Sequence, residues 1–182
     1  MRFIWATLLL IMIWLSGYGQ TNISDYSLKV EFNPEFNYSA VLKIKNTIDS
    51  NYISLTYQID STGRIFNKSK KVSKSSLSNL SKFLKSYKFQ IKGSTDTTGI
   101  KKYPQPDGKD WIVYEITNYT DGITTNGEFI QNGIIKKFSF WSPKKDGDNQ
   151  EFIKILFDLM KKSITRKKTV AYLNAIESYY NI

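Results

Sequence analysis

From Tyr26 onward the apolar side chains fall on every second residue, in three successive runs. Tyr26, Leu28, Val30 and Phe32 alternate with Ser27, Lys29 and Glu31, and Ala40, Leu42 and Ile44 enclose Lys43, with Lys45 following. Ile53, Leu55, Tyr57 and Ile59 then alternate with Ser54, Thr56, Gln58 and Asp60. A period of two gives a strand one face for a core and one for water. Short polar connectors, the first opening at Asn33-Pro34, join the three into an antiparallel meander. Ser61, Thr62 and Gly63 turn the chain into a brief strand over residues 64–66.

The period then changes. Leu77, Leu80, Leu84 and Tyr87 recur at helical spacing, while Lys74, Lys82, Lys85 and Lys88 fall largely on other faces, and Ser73 or Ser75 is placed to cap the start. Residues 92–110 show no periodicity and hold Gly93, Gly99, Pro104, Pro106 and Gly108, which predicts a long exposed loop. A second sheet segment opens at Trp111, with Ile112, Tyr114 and Ile116 alternating against Val113, Glu115 and Thr117 before a turn at Asp121-Gly122. Strand-like runs over 127–131 and 134–141 flank Asn132-Gly133, a pair that accepts the positive φ angles of a tight hairpin turn.

Beyond Ser142-Pro143 the pattern is helical. Asp148 and Glu151 have the spacing of a capping box, and Phe152, Ile155, Leu156, Leu159 and Met160 form a broad apolar face. A break over 163–166 precedes a last helix with Val170, Leu173, Ile176 and Tyr180 on one stripe. The predicted fold is α+β: an antiparallel sheet of about six strands, with one inserted helix and two C-terminal helices packed on one face.

At the start of the chain Arg2 precedes an apolar run over 3–15, and Ser16, Gly17 and Gly19 follow. That order is the grammar of a cleaved signal peptide, so residues 1–19 are expected to be the signal and residues 20–182 a single secreted or periplasmic domain. The run is shorter than the roughly 18–20 residues a membrane span needs, so no transmembrane anchor is expected after cleavage. The chain has neither cysteine nor histidine. Disulfides, thiol catalysis, thiolate metal sites and histidine-based catalysis or ligation are excluded, and no cofactor or metal is expected.

Charge is the positive clue: 26 Lys and Arg against 16 Asp and Glu give +10. Such a field attracts an acidic protein or an anionic envelope polymer. The densest cluster is Lys161, Lys162, Arg166, Lys167 and Lys168, around the break between the last two helices. Lys161 and Lys162 suit a helix C-terminus, whereas Arg166, Lys167 and Lys168 oppose the dipole of the next helix and are therefore the first candidates for binding. A second cluster, Lys68, Lys70, Lys71 and Lys74, has no interleaved aromatics and belongs to no nucleic-acid module, so nucleic acid is not an expected partner. Trp111 and Trp141 at strand ends, with Tyr103 and Tyr119 in loops, are candidates to line a binding surface or to close the ends of a core.

Three further patterns are weaker. Asp146-Gly147-Asp148-Asn149 with Glu151 is oxygen-rich but lacks the spacing of a calcium loop. Asp107, Asp110, Glu115 and Asp121 offer carboxylates of the kind glycosidases pair, yet no spacing singles out two of them. Asp60-Ser61-Thr62 and Asp96-Thr97-Thr98 resemble the acceptor triplet of an O-glycosylation system for exported proteins of some bacteria. The expected function is that of an exported, small, basic, non-catalytic binding protein of the accessory, inhibitor or immunity type. The alternative is a carboxylate-based hydrolase acting on cell-envelope or polysaccharide material.

Overall fold

The computed structural model describes residues 25–91, 95–104, 110–118, 122–142 and 147–180, and the side chains of all but 95–104 and 110–118. The expected signal segment, Asp121 and Pro143 lie outside the described residues. Six strands form one antiparallel sheet in the order β4-β3-β2-β1-β7-β8. They are β1 (Tyr26–Pro34), β2 (Ala40–Asn46), β3 (Asn51–Gln58), β4 (Ile65–Lys71), β7 (Ile123–Gln131) and β8 (Ile134–Trp141). The meander accounts for β1 to β4, and β7 docks against the free side of β1 with Leu28 opposite Phe129 and Phe32 opposite Thr125. Between β7 and β8, Asn132 and Gly133 have φ of 51° and 77°, as a two-residue turn matched to the twist of its strands requires.

Two expectations are corrected. Within the loop expected over 92–110, residues 95–104 are a strand: β5 (Thr95–Pro104) pairs with β6 (Asp110–Asn118) in a separate two-stranded ribbon. Thr95, Thr97, Thr98, Ile100 and Tyr103 favour extended backbone, while Gly99 sits at a register shift and Pro104 ends the strand. The bulge breaks the alternation that would have revealed a strand. Consequently β6, expected in the main sheet, pairs with β5. The strand expected over 64–66 instead continues to Lys71, opposite Tyr52. Its apolar alternation stops at Phe66 because β4 is an edge strand and needs only one buried anchor.

A 3-10 turn (Ser75–Leu77) leads into α1 (Ser78–Ser86), followed later by α2 (Asp148–Ser163), α3 (Lys167–Glu177) and a closing 3-10 turn (Ser178–Tyr180). Ser73 Oγ accepts the Ser76 N–H at 3.1 Å within this turn, but neither Ser73 nor Ser75 is the cap expected from the sequence: Lys74 precedes the 3-10 turn and Leu77 precedes α1, neither with a side-chain cap bond. The capping box at Asp148 does not form. Gly147 is the N-cap and its carbonyl accepts the Glu151 N–H at 3.1 Å, leaving Asp148 and Glu151 to act on the helix dipole from the first turn.

The helices cover one face of the sheet, where alternate residues of β1, β2 and β3, with Phe66, Ile123, Phe129, Phe138 and Phe140, enter a single core with Leu77, Leu80, Phe152, Leu156, Phe157, Leu173 and Ile176. Aromatic rings join the layers. Phe32 meets Phe157 edge-on at 5.5 Å, and Phe152 stacks on Tyr87 at 4.8 Å while touching Phe138 edge-on at 5.5 Å. Buried phenols find partners: Tyr180 with the Thr125 hydroxyl at 2.6 Å and Tyr26 with the Ser81 hydroxyl at 3.0 Å. Burial pushes the Tyr180 and Tyr26 hydroxyls above the ordinary phenol value, so both stay protonated. The opposite face is polar, with Lys29–Glu31 at 2.6 Å and Lys137–Glu128 at 3.7 Å. The two sheet edges are treated differently. At β8 the Ser139 N–H donates to the Gln90 carbonyl at 3.0 Å, whereas β4 presents lysines.

Candidate anion-binding groove

Strand register decides where the lysines of β4 stand. Phe66, Lys68 and Lys70 pair with Tyr57, Leu55 and Ile53, three core residues, so this row of β4 lies on the helix side of the sheet. At an edge a lysine there lays its stem along the core border and carries its ammonium out to water. The same border is met by the last turn of α2 and the start of α3. Lys70, Lys71 and Lys162 line one groove of about 450 Å³, together with Ser73, Ser75 and Ser76 from the turn before α1; Lys71, opposite Tyr52, belongs by register to the other face of the sheet and borders the groove from the strand end. Asp158, one helical turn before Lys162, is the acidic residue in its wall.

Arg166 is not in the groove lining; its guanidinium stands 5.4 Å from the centre of the Phe66 ring, and that ring packs on Tyr57 at 4.9 Å. The contact holds the α2–α3 corner against β4 while leaving Arg166 exposed. Lys161 is engaged elsewhere, in an ion pair with Glu177. Lys167 and Lys168 are exposed in the first turn of α3. The five-residue cluster is thus divided: one cation is paired, Arg166 is seated on an aromatic ring, Lys162 faces the groove, and two project from α3.

The remaining candidates separate as follows. Trp141 is half-buried at the end of β8, opposite Thr124. A Cβ on Gly122 would lie 2.7 Å from its ring, so the indole packs on bare backbone and closes the strand end. Trp111 and Tyr103 face each other in register across the β5–β6 ribbon, so Tyr103 is in a strand and not a loop. Their side chains lie outside the described residues, as do Tyr119, Asp107 and Asp121 entirely. Asp110 and Glu115 are placed in β6 by their backbone alone. In the oxygen-rich segment, the Asn149 carboxamide oxygen accepts from the Tyr87 hydroxyl at 2.5 Å and so has a structural task. Among the described residues no group of three or more acidic side chains is arranged to hold a metal ion.

The two triplets also differ. Asp60 accepts from the Thr62 N–H at 3.0 Å and from Arg64 Nε at 2.6 Å, and the Thr62 hydroxyl and Arg64 hold its carboxyl down to about 2. That triplet closes its own turn. Asp96-Thr97-Thr98 lies in β5 and not in an accessible loop.

A signal for the groove was present in the sequence, in where acids are missing. Between Asp60 and Asp96 there are nine Lys or Arg and no acidic residue, and between Asp158 and Glu177 there are five and again none. Reading clusters by density alone separates these two segments. The sheet edge and the helix corner bring them together. A scan against protein-family models and searches of curated proteins and of solved structures gave no match.

Proposed function

We propose that the chain is an exported, non-catalytic binding protein that recognises an acidic partner through the surface shared by β4 and the α2–α3 corner. The observation that supports this is the lining of one groove by Lys70 and Lys71 from one acid-free segment and Lys162 from the other. Like charges drawn together by a fold repel one another, and a bound anion relieves that cost. The lack of histidine and cysteine removes the common nucleophile and base chemistries and fits recognition better than turnover. The leader-like start of the chain, Arg2 and the apolar run after it, supports export.

Retention on immobilised dextran sulfate tests this reading. K70Q/K162Q should elute at clearly lower salt than the parent chain and bind about tenfold more weakly, equivalent to about 1.4 kcal/mol. The comparison is K43Q/K137Q, which removes as many charges from the opposite face of the sheet. That variant should elute close to the parent. Equal displacement of the two variants would mean that net charge alone governs retention and would refute a dedicated surface.

A further inference from the structure

We infer that the groove seats one tetrahedral oxyanion, a phosphate or sulfate ester borne by the partner; this deepens the reading above and rests on it. The inference comes from the hydroxyls beside the lysines. Ser73 Oγ lies 2.8 Å from Ser75 Oγ and 2.7 Å from Ser76 Oγ, and it accepts the Ser76 N–H at 3.1 Å. A hydroxyl offers one proton and two acceptor lone pairs. Ser73 Oγ already accepts one N–H, so it can accept from one neighbouring hydroxyl and must donate to the other. The hydroxyl that receives Ser73's proton keeps its own proton free to point outward. Three hydroxyls sharing two contacts therefore always leave one donor unspent, at a wall of the same groove that Lys70, Lys71 and Lys162 line.

One unspent hydroxyl donor beside the Lys70 and Lys162 side of the groove suits a ligand with several acceptor oxygens around one centre. A phosphate monoester brings three oxygens and a charge of about −1.5 to −2 at neutral pH, against two oxygens and one charge on a carboxylate. Asp158 in the wall repels any anion, which raises the number of cation contacts a ligand must make at once to bind. A compact oxyanion meets that demand better than a single carboxylate side chain. The turn that presents the serines is fixed by its own hydrogen bonds and by fully buried Leu77, so the donors need little ordering on binding.

The test is a titration of the isotope-labelled chain with inorganic phosphate, inorganic sulfate and acetate at constant ionic strength, read by the amide resonances of Ser73, Ser75 and Ser76 and the side-chain resonances of Lys70 and Lys162. Phosphate, sulfate or both should give saturable shifts in the millimolar range, with acetate at least tenfold weaker; a response to one oxyanion alone names the ester. K70Q/K162Q, which leaves the serine turn intact, should weaken the response at least tenfold. S73A/S75A/S76A, checked for an unchanged fold, should abolish the preference over acetate. Acetate matching the oxyanions, shifts that grow linearly without saturation, or an unaltered response in K70Q/K162Q would overturn the inference. Failure here with groove-dependent retention on dextran sulfate leaves the acidic-partner reading standing. Saturable oxyanion binding without such retention leaves the groove and removes that reading.

Discussion

Phe152→Ala is expected to lower the unfolding free energy by about 3–5 kcal/mol, the range for removing a large aromatic side chain from a packed core. Phe152 is fully buried, and its ring in α2 touches both α1 and the sheet at once. It stacks on Phe83 of α1 at 5.9 Å and on Tyr87 at 4.8 Å, and meets Phe138 of β8 edge-on at 5.5 Å. No single neighbour can move into the void without leaving another contact, so the site collapses poorly and the loss belongs near the top of the range. For a domain of this size the shift in Tm is roughly 10 °C. Urea unfolding measures it directly, and a loss below about 1 kcal/mol would show that these rings do not join helices to sheet. The groove feels the same change, because Phe152 holds α2 beside α1, and those two helices carry Lys162 and follow the serine turn respectively.

Gly127→Ala is the second large effect, and its sign runs against general expectation. Replacing glycine by alanine in extended backbone normally stabilises by about 0.4–1 kcal/mol through the unfolded chain. Here Gly127 lies inside β7 opposite Val30 and Phe138, and the Phe138 ring folds over it. An added Cβ would sit 2.6 Å from one ring carbon, closer still to another, and against the Lys29 carbonyl oxygen of the neighbouring strand. The ring can rotate away only into Phe89 and Phe152, and the carbonyl belongs to the β1–β7 ladder. A loss of about 1–3 kcal/mol is expected, as for overpacking in a close-packed core. Equal or higher stability of Gly127→Ala in the same urea experiment would contradict this account of the central strand pair.

The fold class was legible because the core-facing residues of β1, β2 and β3 obey a strict period of two, and Asn132-Gly133 specifies its own turn. The β5–β6 ribbon was not legible, since a bulge at Gly99 breaks the alternation and Gly93, Pro104, Pro106 and Gly108 around it read as loop residues. The outer half of β4 was hidden for another reason. Lys68 and Lys70 occupy core-side positions of an edge strand, where a charge can stand at a core border, so hydrophobic pattern reports nothing there. Asp148 was expected at the cap, but the helix begins one residue earlier than that reading, with Asp148 already in its first turn and Gly147 at the N-cap. Of the candidate site, the identity of the cations was readable, but not their convergence. Lys70 and Lys162 are far apart in the chain and meet only because β4 is the outermost strand on the side where the α2–α3 corner comes down, a fact of topology that no local window contains.

Lysine footprinting by amine-directed acetylation and mass spectrometry, with and without dextran sulfate, tests that convergence most directly. Lys70 and Lys162 should lose reactivity together and with one concentration dependence, while Lys43, Lys45 and Lys137 on the opposite sheet face keep theirs. Protection spread evenly over both faces, or protection of Lys162 without Lys70, would contradict a single binding surface.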